Sequence, residues 1–165
     1  MICCVTGHRP HRFPFPYDKA NEKYKIYISH LYEETENLIH RGAVHFITGM
    51  AKGADIDFAY CVNNLRKSVP NITLEAALPF PFHKPERPTN DSIDFECVLH
   101  FCDKIQVVSP YYHAWCMQKR NCYMVDKSDV VLAVWNGREQ GGTWNTIRYA
   151  RSLGKEIRFI LLNEI

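Results

Sequence analysis

The sequence predicts an α/β protein, a three-layer Rossmann-like domain in which a mainly parallel sheet carries helices on both faces. Short, continuously apolar runs, typical of strands covered on both sides, recur along the chain. Amphipathic segments of helical length separate these runs, which implies right-handed crossovers and parallel pairing. A chain of 165 residues that is 46% hydrophobic and 23% charged is sufficient for one domain over residues 1–165.

In the first half of the chain, the run ICCVT is a strand that ends at Gly7, and the proline-rich loop GHRPHRFPFPY follows it. Apolar residues at steps of three and four predict a helix from about Asp18 to a stop at Gly42. The predicted buried face of this helix consists of Tyr24, Ile28, Leu31, Thr35, Leu38 and Ile39. AVHFIT is the second strand, and GMAKGAD leads into a second helix, which Pro70-Asn71 breaks.

The second half repeats this alternation and brings the total to six strands and five helices. ITLEAAL is a strand that ends in the loop PFPFHKPERP, and NDSIDFECVLHFC is a helix with a cap between Asn90 and Ser92. KIQVVS and DVVLAVW are strands on either side of the helix AWCMQKRNCYMVDKS. TWNTIRYARSL is the last helix, stopped by Gly154, and EIRFILL is the last strand.

Charge and cysteine usage restrict the compartment and the partners. The chain has 20 basic and 18 acidic residues and no long run of either sign. Because proteins that bind nucleic-acid phosphates usually show clustered basic residues, the sequence argues against a nucleic-acid partner. Seven cysteines without a CxxC pair predict a reduced, cytoplasmic protein with no metal site. Neither a secretion signal, nor a membrane-length apolar run, nor a dinucleotide fingerprint is present, so we expect no membrane and no cofactor.

The loops that follow strands are the candidate binding loops, because ligands of parallel α/β sheets bind beyond the carboxyl ends of the strands. In the loop TGMAKGAD, Gly49 and Gly53 let main-chain N–H groups approach an anion. Lys52 and the N-terminus of the following helix add positive charge. Asp55 either contacts the ligand or only occupies the first helical turn, where a carboxylate is favourable.

The loop GHRP places Gly7, His8 and Arg9 at the end of the first strand. An imidazole and a guanidinium at this position are suited to hold a charged ligand. Arg9 has an alternative role, in which it pairs with Asp55 or Asp57 and stiffens the loop.

The segments QKRN and GGTWNT complete the candidate site. Arg120 either clamps a phosphate, with Asn121 beside it, or belongs to a solvated helix face. Gly141, Gly142 and Thr143 open the last helix beyond a buried strand, so backbone and hydroxyl donors converge at a helix N-terminus. These segments predict a phosphate-bearing ligand.

Five ordered motifs, VTGHRP, TGMAKGAD, LPF, KRNxxMVDxSDxxLAVW and GGTxxTxxYA, resemble those of the YpsA-like proteins of the SLOG superfamily. The resemblance covers essentially the whole chain. That superfamily includes the Lonely Guy phosphoribohydrolases and the DNA-processing Smf proteins. The resemblance therefore implies a Rossmann-like fold, a nucleotide-type ligand over the glycine loops and a homodimer.

In the phosphoribohydrolases, segments of the form MHERKxxM and PGGxGTxxE supply a catalytic Arg and Glu. By resemblance Arg120 stands in the place of the Arg, whereas Arg148, beside Tyr149, stands in the place of the Glu. Because N-glycosidic cleavage requires a carboxylate, we assign no catalytic residue. Glu139 and Asp55 are the carboxylates that other loops offer.

We therefore expect a sensor or regulatory module that binds a nucleotide or an ADP-ribose-like molecule. Arg9, Lys52 and Arg120 would meet phosphate, while Asp55 or Asn121 would hold ribose hydroxyls.

Two alternatives remain open. One is a nucleotide N-glycosidase or phosphoribohydrolase. The other is a single-stranded nucleic-acid module that stacks bases on Tyr111, Tyr112 and Trp115.

Overall fold

The computed structural model of the protein describes residues 1–81 and 90–165, except for the side chain of Asp91. Strands and helices alternate along this part of the chain, as the sequence predicts. The strands are β1 (Ile2–Gly7), β2 (His45–Thr48), β3 (Thr73–Leu78), β4 (Lys104–Val107), β5 (Val130–Trp135) and β6 (Glu156–Leu161). The helices are α1 (Glu22–His40), α2 (Ala54–Leu65), α3 (Asn90–Phe101), α4 (Cys116–Lys127) and α5 (Gly141–Ser152).

The six strands form one sheet in the order β4-β3-β2-β1-β5-β6, and every described pairing is parallel. The predicted α/β, Rossmann-like class is confirmed, and the sheet is entirely parallel over the described strands. β1 lies at the centre, with β2 on one side and β5 on the other. The chain therefore reverses its direction of travel across the sheet between β1 and β5, and at such a point the connecting loops diverge and leave a crevice.

Helices cover both faces of the sheet, and this explains why its strands are continuously apolar. On one face, residues of α1, α2 and α3 pack on the sheet, and this core includes Tyr27, Leu31, Phe58 and Val98 from the helices and Phe46 and Leu74 from the strands. On the other face, the core includes Met124, Val125 and Ala150 from α4 and α5 and Cys4, Ile47 and Val131 from the strands. The three-layer arrangement is confirmed.

Some boundaries differ from the predicted ones for local reasons. α1 begins at Glu22 rather than near Asp18 because the side chain of Asn21 accepts from the N–H groups of Lys23 and Tyr24, at 3.0 and 3.3 Å. α5 begins at Gly141, two residues before the predicted start. The loop predicted as PFPFHKPERP falls largely outside the described residues.

A carboxylate on α2 holds the long loop that follows β1. Asp57 accepts hydrogen bonds from the hydroxyl groups of Tyr17, Tyr24 and Tyr27, at 2.8, 2.9 and 3.1 Å. Phe13 of the same loop packs edge-on against Tyr27, with 5.2 Å between ring centroids. These contacts fix the loop on α1 and α2, and the loop carries its basic residues to the carboxyl end of β1.

The raised pKa of Asp57 predicts that the free energy of unfolding depends on pH. Burial raises its pKa from 3.8 to about 6, against the three tyrosine hydroxyls, which lower it. The folded protein therefore binds this proton more tightly than the unfolded chain, so the contribution of Asp57 to the free energy of unfolding falls as the pH rises from about 4 to about 6. We expect Asp57→Asn to gain about 3 kcal/mol relative to the wild type across this range, measured by urea denaturation at stepped pH. A difference between the two proteins that does not change with pH would contradict this assignment.

Candidate functional site

A pocket of about 210 Å³ lies at the crevice between β1 and β5. Its lining comprises residues 5–9, 11 and 12, Ala51 and Asp55, one side of α4, residues 140–143 and Thr146. We call it the switch-point pocket. It occupies the position at which ligands bind in open parallel sheets, beyond the carboxyl ends of the strands.

The N-terminus of α5 forms one wall of the switch-point pocket. Gln140 precedes the helix and gives no side-chain cap, so the first N–H groups of the helix keep their hydrogen-bonding capacity. A Cβ built on Gly141 or Gly142 would meet no atom within 4 Å, so the space in front of this turn is open. Free N–H groups and the positive end of the helix dipole make this wall favourable for an anion.

Basic side chains line another part of the pocket, where Arg9 and Arg12 are joined by His8, His11 and Arg120. Arg9 and Arg12 are exposed, and no described residue accepts a hydrogen bond from either guanidinium. The alternative in which Arg9 pairs with Asp55 or Asp57 is not the arrangement observed. Among the described residues no hydrogen bond joins Arg9 to either carboxylate, because Asp55 accepts from the N–H of Ala51 and Asp57 is bonded to tyrosines. Arg9 and Arg12 are therefore available to a ligand.

His8 contributes a buried polar atom that lacks a partner. Its side chain is almost fully buried, and its Nδ1 lies 3.3 Å from the hydroxyl oxygen of Thr143. Nε2 has no hydrogen-bond partner among the described residues. Burial lowers the pKa of His8, which favours a neutral ring. Because buried polar atoms are normally satisfied, Nε2 is a position where a polar ligand atom would be stabilised.

Arg120 is mainly a structural cation. It is 6% exposed, and it donates from Nη1 to the carbonyl oxygen of Gly49 and from Nε to Asn121 Oδ1, at 2.8 Å for the second bond. Burial lowers the pKa of Arg120, and Asp55 opposes that effect. Burial likewise raises the pKa of Asp55, against the attraction of Arg120. A Cβ on Gly49 would lie 2.6 Å from Asp55 Oδ2, so glycine is needed there for this packing.

Nine of the twelve predicted residues line the switch-point pocket, namely Gly7, His8, Arg9, Asp55, Arg120, Asn121, Gly141, Gly142 and Thr143. Gly49 and Lys52 line a neighbouring cleft instead. Gly53 has φ 107°, and a Cβ there would collide with the carbonyl oxygen of His8, so its absence of a side chain permits the close packing of two loops.

Sequence reasoning did not single out Arg12, His11, Gln140 and Met117, which also line the pocket. Arg12 reaches it because the 3₁₀ turn Pro10–Arg12 reverses the chain directly after β1. In the sequence, the proline at the start of that turn indicated a turn at this position, but it did not indicate the direction of the side chains that follow.

The carboxylates proposed for catalysis are placed unequally. Among the described residues, Asp55 is the only carboxylate that lines the pocket. Glu139 is exposed and lies outside the lining. Arg148 lies in a groove between α4 and α5, and the neighbouring Tyr149 donates to Asp126 at 2.7 Å. Within residues 1–81 and 90–165, no group of three or more His, Cys, Asp or Glu side chains is placed to hold a metal ion.

None of the described helices is long and apolar enough to span a membrane.

Comparison with known proteins assigns the chain to a protein family. A model of the YspA SLOG family (YpsA) matches residues 3–161. The chain belongs to this family. It is also 31% identical over 118 residues to the uncharacterized SPbeta prophage-derived protein YoqJ of Bacillus subtilis (strain 168), a match that covers 64% of this chain and 68% of the relative.

A solved structure shares the fold of this SLOG protein. That structure is of DNA processing protein A from Helicobacter pylori, studied for its single-stranded DNA binding mode. It matches this chain with a TM-score of 0.63 and 18% sequence identity. The match covers 96% of this chain, which spans 64% of the length of that protein.

The sequence argument against a nucleic-acid partner is wrong, because a protein of this fold binds single-stranded DNA. Basic residues form no long run along the chain. In the folded protein Arg9, Arg12 and Arg120 line one pocket, although α1, α2 and α3 separate Arg120 from the other two in the sequence. A basic cluster assembled by folding leaves no run in the sequence.

The environment of Arg120 predicts a stability effect. Arg120→Ala leaves Asp55 buried without its cation and the carbonyl of Gly49 without a donor, so we expect the free energy of unfolding to fall by about 3 kcal/mol. Adding Asp55→Asn should recover part of that loss. Lys119→Ala, an exposed neighbour on the same helix, is the matched control. Denaturant unfolding measures all four proteins, and an Arg120→Ala effect as small as that of the control would show that Arg120 is not structural.

Proposed function

We propose that the switch-point pocket binds the phosphate of a nucleotide or a nucleotide-derived molecule of the ADP-ribose type, and that the protein acts as a sensor or regulatory module. One observation carries the proposal. The open, uncapped N-terminus of α5 faces the same pocket as two guanidinium groups that have no described protein partner. Each feature favours an anion, and together they favour one with several acceptor oxygens.

The chemistry of the pocket suits a phosphate attached to a sugar. The N–H groups at the start of α5 would donate to phosphate oxygens, and Arg9 and Arg12 would neutralise their charge. Asn121 and Asp55 line the same pocket and would bond ribose hydroxyls. The unpaired Nε2 of His8 would gain a partner from either group.

Binding without turnover is favoured over N-glycosidic cleavage. Cleavage requires a carboxylate that stabilises an oxocarbenium-like transition state or activates water. Asp55 is buried, accepts from the N–H of Ala51 at 3.3 Å and experiences the charge of Arg120. Its negative charge is already compensated within the protein, which makes it a poor catalytic carboxylate.

A second candidate is that the nucleotide is one unit of a single-stranded DNA. Tyr111, Tyr112 and Trp115 lie between β4 and α4 and are 69%, 68% and 75% exposed. Exposed aromatic rings beside a phosphate site are the usual elements of single-strand binding, because every base can stack on them. The fold match to a DNA processing protein supports this candidate.

The substitution Gly142→Ala should weaken ligand binding without destabilising the fold. The added methyl group meets no protein atom, so the melting temperature without ligand should not fall and should rise slightly, because alanine reduces the entropy of the unfolded chain. The methyl group would occupy the space in front of the α5 N-terminus, so we expect roughly tenfold weaker binding of any nucleoside monophosphate or ADP-ribose that stabilises the wild type. Thermal shift and calorimetry measure both quantities.

Arg12→Ala should show the same loss, since it removes a guanidinium from the pocket lining. Asn145→Ala, one turn further along α5 and outside the pocket lining, is the control. The proposal fails if no compound in the panel stabilises the wild type, or if Gly142→Ala and Arg12→Ala bind as well as Asn145→Ala.

For the DNA candidate, we expect the triple variant Tyr111→Ala, Tyr112→Ala, Trp115→Ala to bind a fluorescent single-stranded oligodeoxynucleotide at least about tenfold more weakly than the wild type. Fluorescence anisotropy at several salt concentrations measures this, and wild-type affinity should fall as salt rises. Leu153→Ala, an exposed apolar residue near the opposite end of α5, is the control. Equal binding by the triple variant and the control would exclude stacking on these rings.

A further inference from the structure

A second cavity, of about 230 Å³, lies at the carboxyl ends of β2 and β3, next to the switch-point pocket. We call it the apolar cleft. Its apolar lining consists of Met50, Leu78, Pro79, Phe80, Phe95 and Met117. Parallel strands end at one edge of the sheet, so this cleft and the phosphate site open on the same side of the protein.

The two cavities share a wall. Arg9, Ala51, Met117 and Arg120 line both of them. A ligand with a charged end in the switch-point pocket would therefore pass over Ala51, the smallest side chain of this wall, and reach the apolar cleft. Such a ligand has a phosphate at one end and an apolar or planar group at the other.

The backbone at the entrance to the cleft is held in an unfavourable conformation. Met50 has φ 62°, which costs a residue with a side chain about 1 kcal/mol or more. Its N–H donates to Thr48 Oγ1 at 3.2 Å, and that hydroxyl donates to the carbonyl of Asp55 at 2.8 Å. These bonds keep the loop in place and keep Met50, which is almost fully buried, on the cleft wall.

Flat groups are available on the lining for a planar ligand. Phe80 is half-buried, and its ring packs edge-on with Tyr112, at 5.4 Å between centroids and 87° between planes. Arg9, which is exposed, lies on the wall shared with the pocket and offers its guanidinium plane. Aromatic rings and guanidinium planes both stack well on nucleobases, whereas an aliphatic chain gains nothing from this cation.

We propose that the apolar cleft binds the base of the nucleotide whose phosphate lies at the N-terminus of α5. This inference rests on the proposed function and adds the position of the base and the way it is recognised. The described side chains of the cleft wall are mostly apolar, so stacking area dominates over hydrogen bonding to base edges. Purine nucleotides should therefore bind more tightly than pyrimidine nucleotides, and guanine and adenine should differ little.

The test compares ligands that share a phosphate and differ in the base. Calorimetry measures the binding of inorganic phosphate, ribose 5-phosphate, AMP and UMP to the wild type, to Phe80→Ala and to Leu153→Ala. We expect AMP to bind at least about tenfold more tightly than ribose 5-phosphate. Phe80→Ala should remove most of that advantage and leave ribose 5-phosphate binding unchanged. Leu153→Ala, an exposed apolar residue outside the cleft lining, should bind AMP as the wild type does.

A fluorescent base gives a readout that a loss of folding does not imitate. The 5′-monophosphate of 2-aminopurine riboside should be quenched on binding to the wild type, because its base stacks in the cleft, and less quenched on the folded Phe80→Ala protein. Melting temperatures confirm that each variant is folded. A bound but unquenched base would overturn the inference.

The failures of the two proposals are distinguishable. If AMP and ribose 5-phosphate bind equally and Phe80→Ala alters neither, the apolar cleft does not hold the base, while the phosphate site stands. If no phosphate compound binds, both proposals are wrong. A 5′-phosphorylated oligodeoxynucleotide tested in parallel identifies the source of the base. Tighter binding than AMP, lost in Phe80→Ala, places a base of single-stranded DNA in the cleft, and tighter AMP binding places a free nucleotide there.

Discussion

The close approach of the chain after β1 to the start of α2 is the constraint on which the pocket depends. The N–H of Ala54 donates to the carbonyl of His8 at 3.2 Å. A Cβ on Gly7 would collide with the side chain of Ala54, and one on Gly53 would collide with His8. The glycines therefore allow two loops from neighbouring strands to touch, and Asp57 holds the far part of the same loop through its tyrosines. Without this contact the basic residues after β1 would not face α5.

The cations of the site fall into two groups with different consequences. Arg120 is buried, and it joins the loop after β2 to α4 through its bond to the carbonyl of Gly49. Arg9 and Arg12 are exposed and lack described protein partners. Buried charge is expensive unless it is compensated, and Asp55 provides that compensation within the fold. Charge available for recognition therefore lies on the loop after β1 and at the α5 N-terminus, and the buried pair supports both.

Much of the fold could be read from the sequence because buried parallel strands and amphipathic helices leave clear periodic patterns. The glycine-containing loops were placed correctly at the carboxyl ends, since that position follows from strand-to-helix order alone. The exact neighbours of each side chain could not be read. Arg12 depends on a short 3₁₀ turn, and Gly49 and Gly53 look alike in TGMAKGAD although one packs beneath Arg120 and the other against His8. Arg9 and Arg120 were expected to meet the same phosphate, but the charge pattern alone did not reveal this basic cluster, because it forms only when distant segments meet.

The most direct test of the phosphate site is a titration of ¹⁵N-labelled protein with AMP and with ribose 5-phosphate, followed by the chemical shifts of the backbone amides. We expect the amide signals of Gly141, Gly142 and Thr143 to shift most with both ligands, because their N–H groups would donate to the phosphate. Amide signals around Met50 and Phe80 should shift with AMP only. Largest shifts at another part of the surface, with the amides of Gly141 and Gly142 unchanged, would show that phosphate does not bind at the N-terminus of α5.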